Sequence, residues 1–119
     1  MQIGELARAT GTTPRALRYY EEQGLLRPSR TGAGYRVYDD GAVTTVGTIR
    51  HLLASGFTVD DLRSLLALLD QPLPERFQPR PACADALAVA VRRLDALEER
   101  IADLTALRDR LAHRLGPTR

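Results

Sequence analysis

The sequence predicts a mostly α-helical protein: four short helices with a small β-hairpin among them, followed by one long helix. Three observations point to this. Apolar residues make up 44% of the 119 positions, yet tryptophan is absent and aromatics are only 5%. Any core must therefore be built from Leu, Val, Ile and Ala, a composition that favours helices. Apolar residues recur at helical spacing up to Leu69, with breaks at Gly11, Gly24 and Gly56. From Ala82 to Leu115 there is neither Pro nor Gly, room for a helix on the order of 50 Å long. The length suits one compact domain plus one extended element, and is too short for two full-sized domains.

In IGELARATG, Ile3, Leu6 and Ala7 fall at helical spacing, and Gly11 suits the left-handed position that closes a helix. Thr13 is a natural N-cap for a second helix, because its hydroxyl can accept from a free backbone N–H. Pro14 then takes the first helical position, where its missing donor costs nothing. Gly24 ends that helix. In RPSRTGAGYRVYD, Pro28, Gly32 and Gly34 separate two short stretches, and Tyr35 and Val37 alternate as a strand would, so a small hairpin or wing is expected. Asp39 or Asp40 can cap a third helix with Val43, Val46, Ile49, Leu52 and Leu53 on one side. Thr58, with Asp61 three residues on, resembles a capping box that opens a fourth helix along Leu62, Leu65, Leu66 and Leu69.

Residues 70–81 hold four of the seven prolines and read as an extended linker. This divides the chain into a domain at 1–70, a linker at 71–81 and a helix at 82–119. The helix carries a heptad: Leu87, Leu94, Ile101, Arg108 and Leu115 at one core position, Ala90, Leu97, Leu104 and Leu111 at the other. A single helix cannot bury that seam, so a homodimer is expected. The alternative is a helix folded back on its own domain, which the linker would permit.

All 17 basic residues are arginines, and residues 1–38 hold six of them against three acids, whereas residues 57–119 hold ten against ten. The basic excess is N-terminal, which fits a polyanion partner there. On the second helix Leu17 and Tyr20 point toward the first, while Arg15, Arg18, Tyr19 and Glu22 point away. In helix–turn–helix proteins the second helix enters the DNA major groove, its N-terminal residues nearest the base edges. An arginine fork there can bind guanine or grip a phosphate. The alternative is a solvated face on which Arg18 and Glu22 form an ordinary i,i+4 pair. The neighbouring hairpin adds Arg27, Arg30, Tyr35, Arg36 and Tyr38, donors suited to phosphate oxygens.

Other classes fare less well. The single cysteine, Cys83, excludes an intramolecular disulfide framework, and no apolar run is long enough for a signal peptide or a membrane span. A cytoplasmic protein with no membrane partner is expected. No nucleophile with a base, no paired catalytic carboxylates and no phosphate-binding glycine loop can be assembled, which argues against an enzyme. Two rivals stay open: a dimeric coiled-coil interaction module with an incidental basic face, and a winged-helix DNA-binding accessory factor that does not act in transcription.

The run IGELARATGTTPRALRYYEEQGLLRPSRTGAGYRVYDD resembles the N-terminal signature of the MerR family of transcriptional regulators, with its RYYE…GLL core and the G-YR-Y pattern of the wing. HLLASGFTVDDLRSLL resembles the family's second helical pair. The resemblance implies a winged helix–turn–helix domain and an antiparallel coiled-coil homodimer, an orientation the heptad alone leaves open. Leu87, Leu94, Leu97, Ile101, Leu104 and Leu111 would then form the dimer seam. By motif position, Thr13, Arg15, Arg18 and Tyr19 would face bases and phosphates, and Tyr20 would support the helix. Arg30, Tyr35, Arg36 and Tyr38 would make the wing's phosphate contacts, with Arg50 a further candidate. The family resemblance implies sequence-specific binding to double-stranded promoter DNA, which is bent and undertwisted so that RNA polymerase holoenzyme can engage both promoter elements. An effector of unknown identity would control this.

Metal-sensing members place a cysteine where Cys83 stands, with further ligands in a loop after the long helix. The sequence closes on HRLGPTR without such thiols, and one thiolate cannot complete a zinc or copper site. His51 and His113, the only imidazoles, fall on separate helices. No metal and no cofactor are expected. Cys83 reads as a small buried residue, with a thiol sensor as the alternative.

Overall fold

The computed structural model describes residues 1–30, 33–78 and 81–117, apart from the side chains of Arg30 and Ala82. Helix α1 (Ile3–Thr10) closes at Gly11, whose φ of 69° is left-handed. A Cβ at Gly11 would lie 3.1 Å from Arg50 Nη1 and displace that side chain slightly, so it is the backbone conformation that favours glycine here. Helix α2 (Pro14–Glu22) begins as expected, with the Thr13 hydroxyl accepting from Ala16 N–H at 3.1 Å. It ends with Leu25 N–H donating to the Tyr20 carbonyl at 2.9 Å across Gly24. Leu6, Ala7, Leu17 and Tyr20 bury the contact between the two helices.

A two-stranded antiparallel hairpin follows, β1 (Ser29–Arg30) with β2 (Arg36–Val37), in the register Ser29–Val37 and Arg30–Arg36. Asp39 then caps α3 (Asp40–Ala54), accepting from Ala42 N–H at 3.1 Å. Val46, Ile49 and Leu52 run along the buried side of α3 and form the centre of the core with Leu6, Leu17, Leu62 and Leu69.

The segment expected as a fourth helix is divided into α4 (Val59–Arg63) and α5 (Leu66–Leu69). Its capping box is present: Asp61 N–H donates to Thr58 Oγ1 and Thr58 N–H to Asp61 Oδ2. The break has a local cause. Ser64 Oγ donates to the Asp61 carbonyl at 2.7 Å, and Leu65 N–H reaches the Leu62 carbonyl three residues back at 2.9 Å, which tightens and closes α4. The rotation keeps Leu65, Leu68 and Leu69 inside but turns Leu66 outward, contrary to the stripe expected from the sequence.

Residues 70–77 are fastened to the helices before them. Thr48 Oγ1 donates to the Gln71 carbonyl at 2.7 Å, Thr45 Oγ1 approaches Asp70 Oδ1 at 3.4 Å, and the Phe77 ring meets Phe57 edge-on at 6.1 Å. Both threonines are buried, and these bonds satisfy their hydroxyls. Helix α6 (Pro81–Leu115) starts on a proline, and its first turns add Cys83, Ala86 and Val89 to the buried set. Farther along, Arg93 grips Asp61 with Nε to Oδ2 at 2.6 Å and Nη2 to Oδ1 at 3.0 Å. Beyond Leu97 the helix leaves its own domain, in a molecule 70 Å long but only 34 by 21 Å across. Val91, Leu94, Leu97, Ile101, Leu104, Leu107, Leu111 and Leu115 are each at least 40% exposed, whereas Leu87 and Ala90 are half-buried.

The Arg93 bonds, with help from Thr58, hold the Asp61 carboxyl down at about 2 although burial opposes this. Because the folded value lies below the ordinary 3.8, this stabilisation is complete above about pH 4 and fades as the pH falls toward 2. Asp61→Asn keeps an oxygen for the cap and removes the charge. It should cost about 1–2 kcal/mol at pH 7, after allowing for solvent screening of the partly exposed Arg93, and less than about 0.5 kcal/mol at pH 2. Urea denaturation at the two pH values measures the difference.

Candidate nucleic-acid interface

Helix α2 sorts its residues as its period requires. Leu17 is fully enclosed and Tyr20 buried, while Thr13, Arg15, Arg18, Tyr19 and Glu22 face solvent. The Arg18–Glu22 pair considered above is not formed, and among the described residues neither Arg15 nor Arg18 is held in an ion pair. Both guanidiniums are therefore available to a partner. The Tyr19 ring lies 6.4 Å from that of Tyr20, tilted by 53°, so the buried tyrosine supports the exposed one.

The hairpin stands beside this helix, and an open cleft between them is lined by Arg18, Arg27 and Arg36 together with Glu22 and Pro28. One acidic side chain fixes the arrangement. Glu21, with only 10% of its side chain exposed, accepts a hydrogen bond from the Tyr38 hydroxyl and lies 3.5 Å from Arg36 Nη1. Burial, then the Glu21 carboxylate, pushes the Tyr38 phenol up to about 12. The expectation that Tyr38 reaches phosphate is thus corrected. Its ring is buried, and its hydroxyl is spent on Glu21 of α2. Tyr35 and Arg36 are exposed, and the Arg30 side chain lies outside the described residues.

Arg50 is also placed differently. Its guanidinium donates to the Thr10 carbonyl and covers Gly11, so it braces the turn between α1 and α2 from behind. Arg27, expected among the hairpin's phosphate donors, does line the cleft, whereas Glu21 was assigned no role from sequence. The only signal for Glu21 was an acid in a basic segment. Tyr38→Phe deletes one hydrogen bond to a nearly buried carboxylate and should destabilise the fold by about 1.5 kcal/mol, read by chemical denaturation.

Cys83 is buried in the single chain, in keeping with a small packed residue. Among the described residues of one chain, no three of His, Cys, Asp and Glu are grouped as metal ligands. No helix is long and apolar enough to cross a membrane among those residues.

A capped helix with a free arginine face, a turn locked behind it and a basic hairpin at its side define a winged helix–turn–helix DNA-binding unit. The chain matches the MerR HTH family regulatory protein family over residues 1–69 and the MerR, DNA binding family over residues 43–114. It is 40% identical over 116 residues to the HTH-type transcriptional regulator HmrR of Rhizobium leguminosarum bv. viciae, covering 95% of this chain and 82% of that protein. It is 39% identical over 113 residues to an uncharacterized HTH-type transcriptional regulator of Pseudomonas aeruginosa, covering 93% and 80%. The crystal structure of the transcription regulator PbrR691 from Ralstonia metallidurans CH34, in complex with lead(II), superposes with a TM-score of 0.78 at 29% identity over 95% of this chain and 83% of that one. The protein belongs to the MerR family and is a DNA-binding transcriptional regulator, not an enzyme.

Proposed function

We propose that two copies pair through α6 in an antiparallel coiled coil and present two α2–hairpin surfaces to one promoter duplex in the cytoplasm. The observation that carries this reading is the uncovered apolar stripe of α6, on a helix bonded through Arg93 and Asp61 to the domain that bears the arginine face. Soluble monomers rarely leave such a contiguous patch in water. In this reading residues 1–70 bind DNA, 71–81 link, and 82–119 carry the dimer seam at Leu87, Leu94, Leu97, Ile101, Leu104 and Leu111. Thr13, Arg15, Arg18 and Tyr19 meet bases and phosphates, Tyr20 supports them, and Arg27, Arg30, Tyr35 and Arg36 hold the backbone at the wing.

Two such surfaces on one side of a duplex favour a bent, undertwisted site, with RNA polymerase holoenzyme engaging the same promoter. Bending costs on the order of a few kcal/mol, which phosphate contacts from both subunits can offset. The test is affinity for duplex DNA taken from upstream of the coding region, titrated from 50 to 200 mM salt. Five arginines per subunit give a log–log slope of roughly −5 to −9. A flat dependence would favour the rival in which the coiled coil is the working part and the basic face is incidental.

A further inference from the structure

The long helix meets its own domain in two chemically different ways. Its first turns contribute Cys83, Ala86 and Val89 to the core, apolar contacts that hold without fixing a direction. One turn on, Arg93 makes a two-pronged contact with a nearly buried carboxylate, and its Nη2 also lies 3.4 Å from Thr58 Oγ1. Planar bidentate pairs of this kind are directional. Asp61 cannot swing to follow the arginine, because the same carboxylate accepts from Thr58 N–H at 2.8 Å to cap α4. One turn further, Leu97 packs on the turn between α3 and α4, its Cδ1 3.4 Å from where a Gly56 Cβ would stand. The rest of α6 projects free.

We propose that Arg93 is the positioning residue that sets the angle between α6 and the DNA-binding unit, through its clasp on Asp61. The lever makes a small angle matter. From Arg93 to Leu115 the helix is about 33 Å long, so a tilt of about 10° moves its end by roughly 6 Å. That exceeds the 3.4 Å rise of one base pair. Without the clasp, the apolar contacts let the rod pivot, and the separation of the two recognition surfaces is no longer fixed. This last consequence rests on the dimer reading above; the angle itself does not.

The test reads the angle within one chain. Nitroxide labels at Glu22→Cys and Arg110→Cys, in a Cys83→Ala background, report the domain-to-rod distance by pulsed dipolar EPR. Labelled chain is diluted into an excess of unlabelled chain, so that only the intrachain pair contributes. The parent should give one narrow distribution. Arg93→Gln should broaden it at least twofold, Asp61→Asn should do the same while keeping the α4 cap, and Arg93→Lys should fall between. Melting curves on each variant confirm that the domain remains folded. If Arg93→Gln and Asp61→Asn superpose on the parent, the clasp does not set the angle. The mass of the parent is measured in parallel: a monomer would remove the dimer reading and leave the distance result fully interpretable.

Discussion

Replacing Ile101 and Leu104 together by aspartate should yield a folded monomer of 13.1 kDa that has lost nearly all affinity for a two-part DNA site. Both side chains are 62% exposed in the single chain and touch nothing in its core, so the domain has no reason to unfold. Across a paired seam the same residues would be buried, each contributing about 1.5–3 kcal/mol. Charges placed there would instead face each other in an apolar interface. A monomer binds one half-site at a time and forfeits the effective concentration of the second, a loss of about 10²–10⁴ in affinity. Light scattering gives the mass and fluorescence anisotropy the affinity. A dimer mass for this variant would show that the stripe is not the seam.

Arg18→Ala should weaken duplex binding by at least about 30-fold, with the fold unchanged, since one contact of this kind is worth about 1–3 kcal/mol and a dimer makes it twice. Arg18 is exposed, has no ion-pair partner among the described residues, and lines the cleft between α2 and the hairpin. Being present twice in a dimer, its removal should flatten the salt slope by about 2 if it grips phosphate. If it reads a base, the slope should hold and discrimination between sequences should fall. Arg50→Ala gives the contrast: its guanidinium serves the Thr10 carbonyl, so stability falls before DNA contacts do.

The features legible in the sequence were those set by local chemistry. Thr13 with Pro14, Asp39, and the Thr58–Asp61 box all start helices where the residue types required them to, because a cap is decided within three residues. The inward and outward faces of α2 follow in the same way from one fixed period. What escaped depends on partners distant in sequence. Tyr38 meets Glu21 seventeen residues away and Arg93 meets Asp61 thirty-two away, and no pattern along the chain links either pair. The strand β2 also ends at Val37, one residue short of Tyr38, so strand alternation does not extend to the face that Tyr38 takes. Leu66 was misplaced for another reason: Ser64 ends α4 with a side-chain bond that helical periodicity does not register.

A footprint of the purified protein on the DNA flanking its coding region bears on dimer, recognition surface and deformation together. Two protected patches related by a dyad and centred one helical turn or a multiple apart, with enhanced cleavage between them, are expected of a dimer that grips both halves and distorts the middle. A single unpaired patch with an unperturbed flank would contradict the paired, DNA-bending regulator described here.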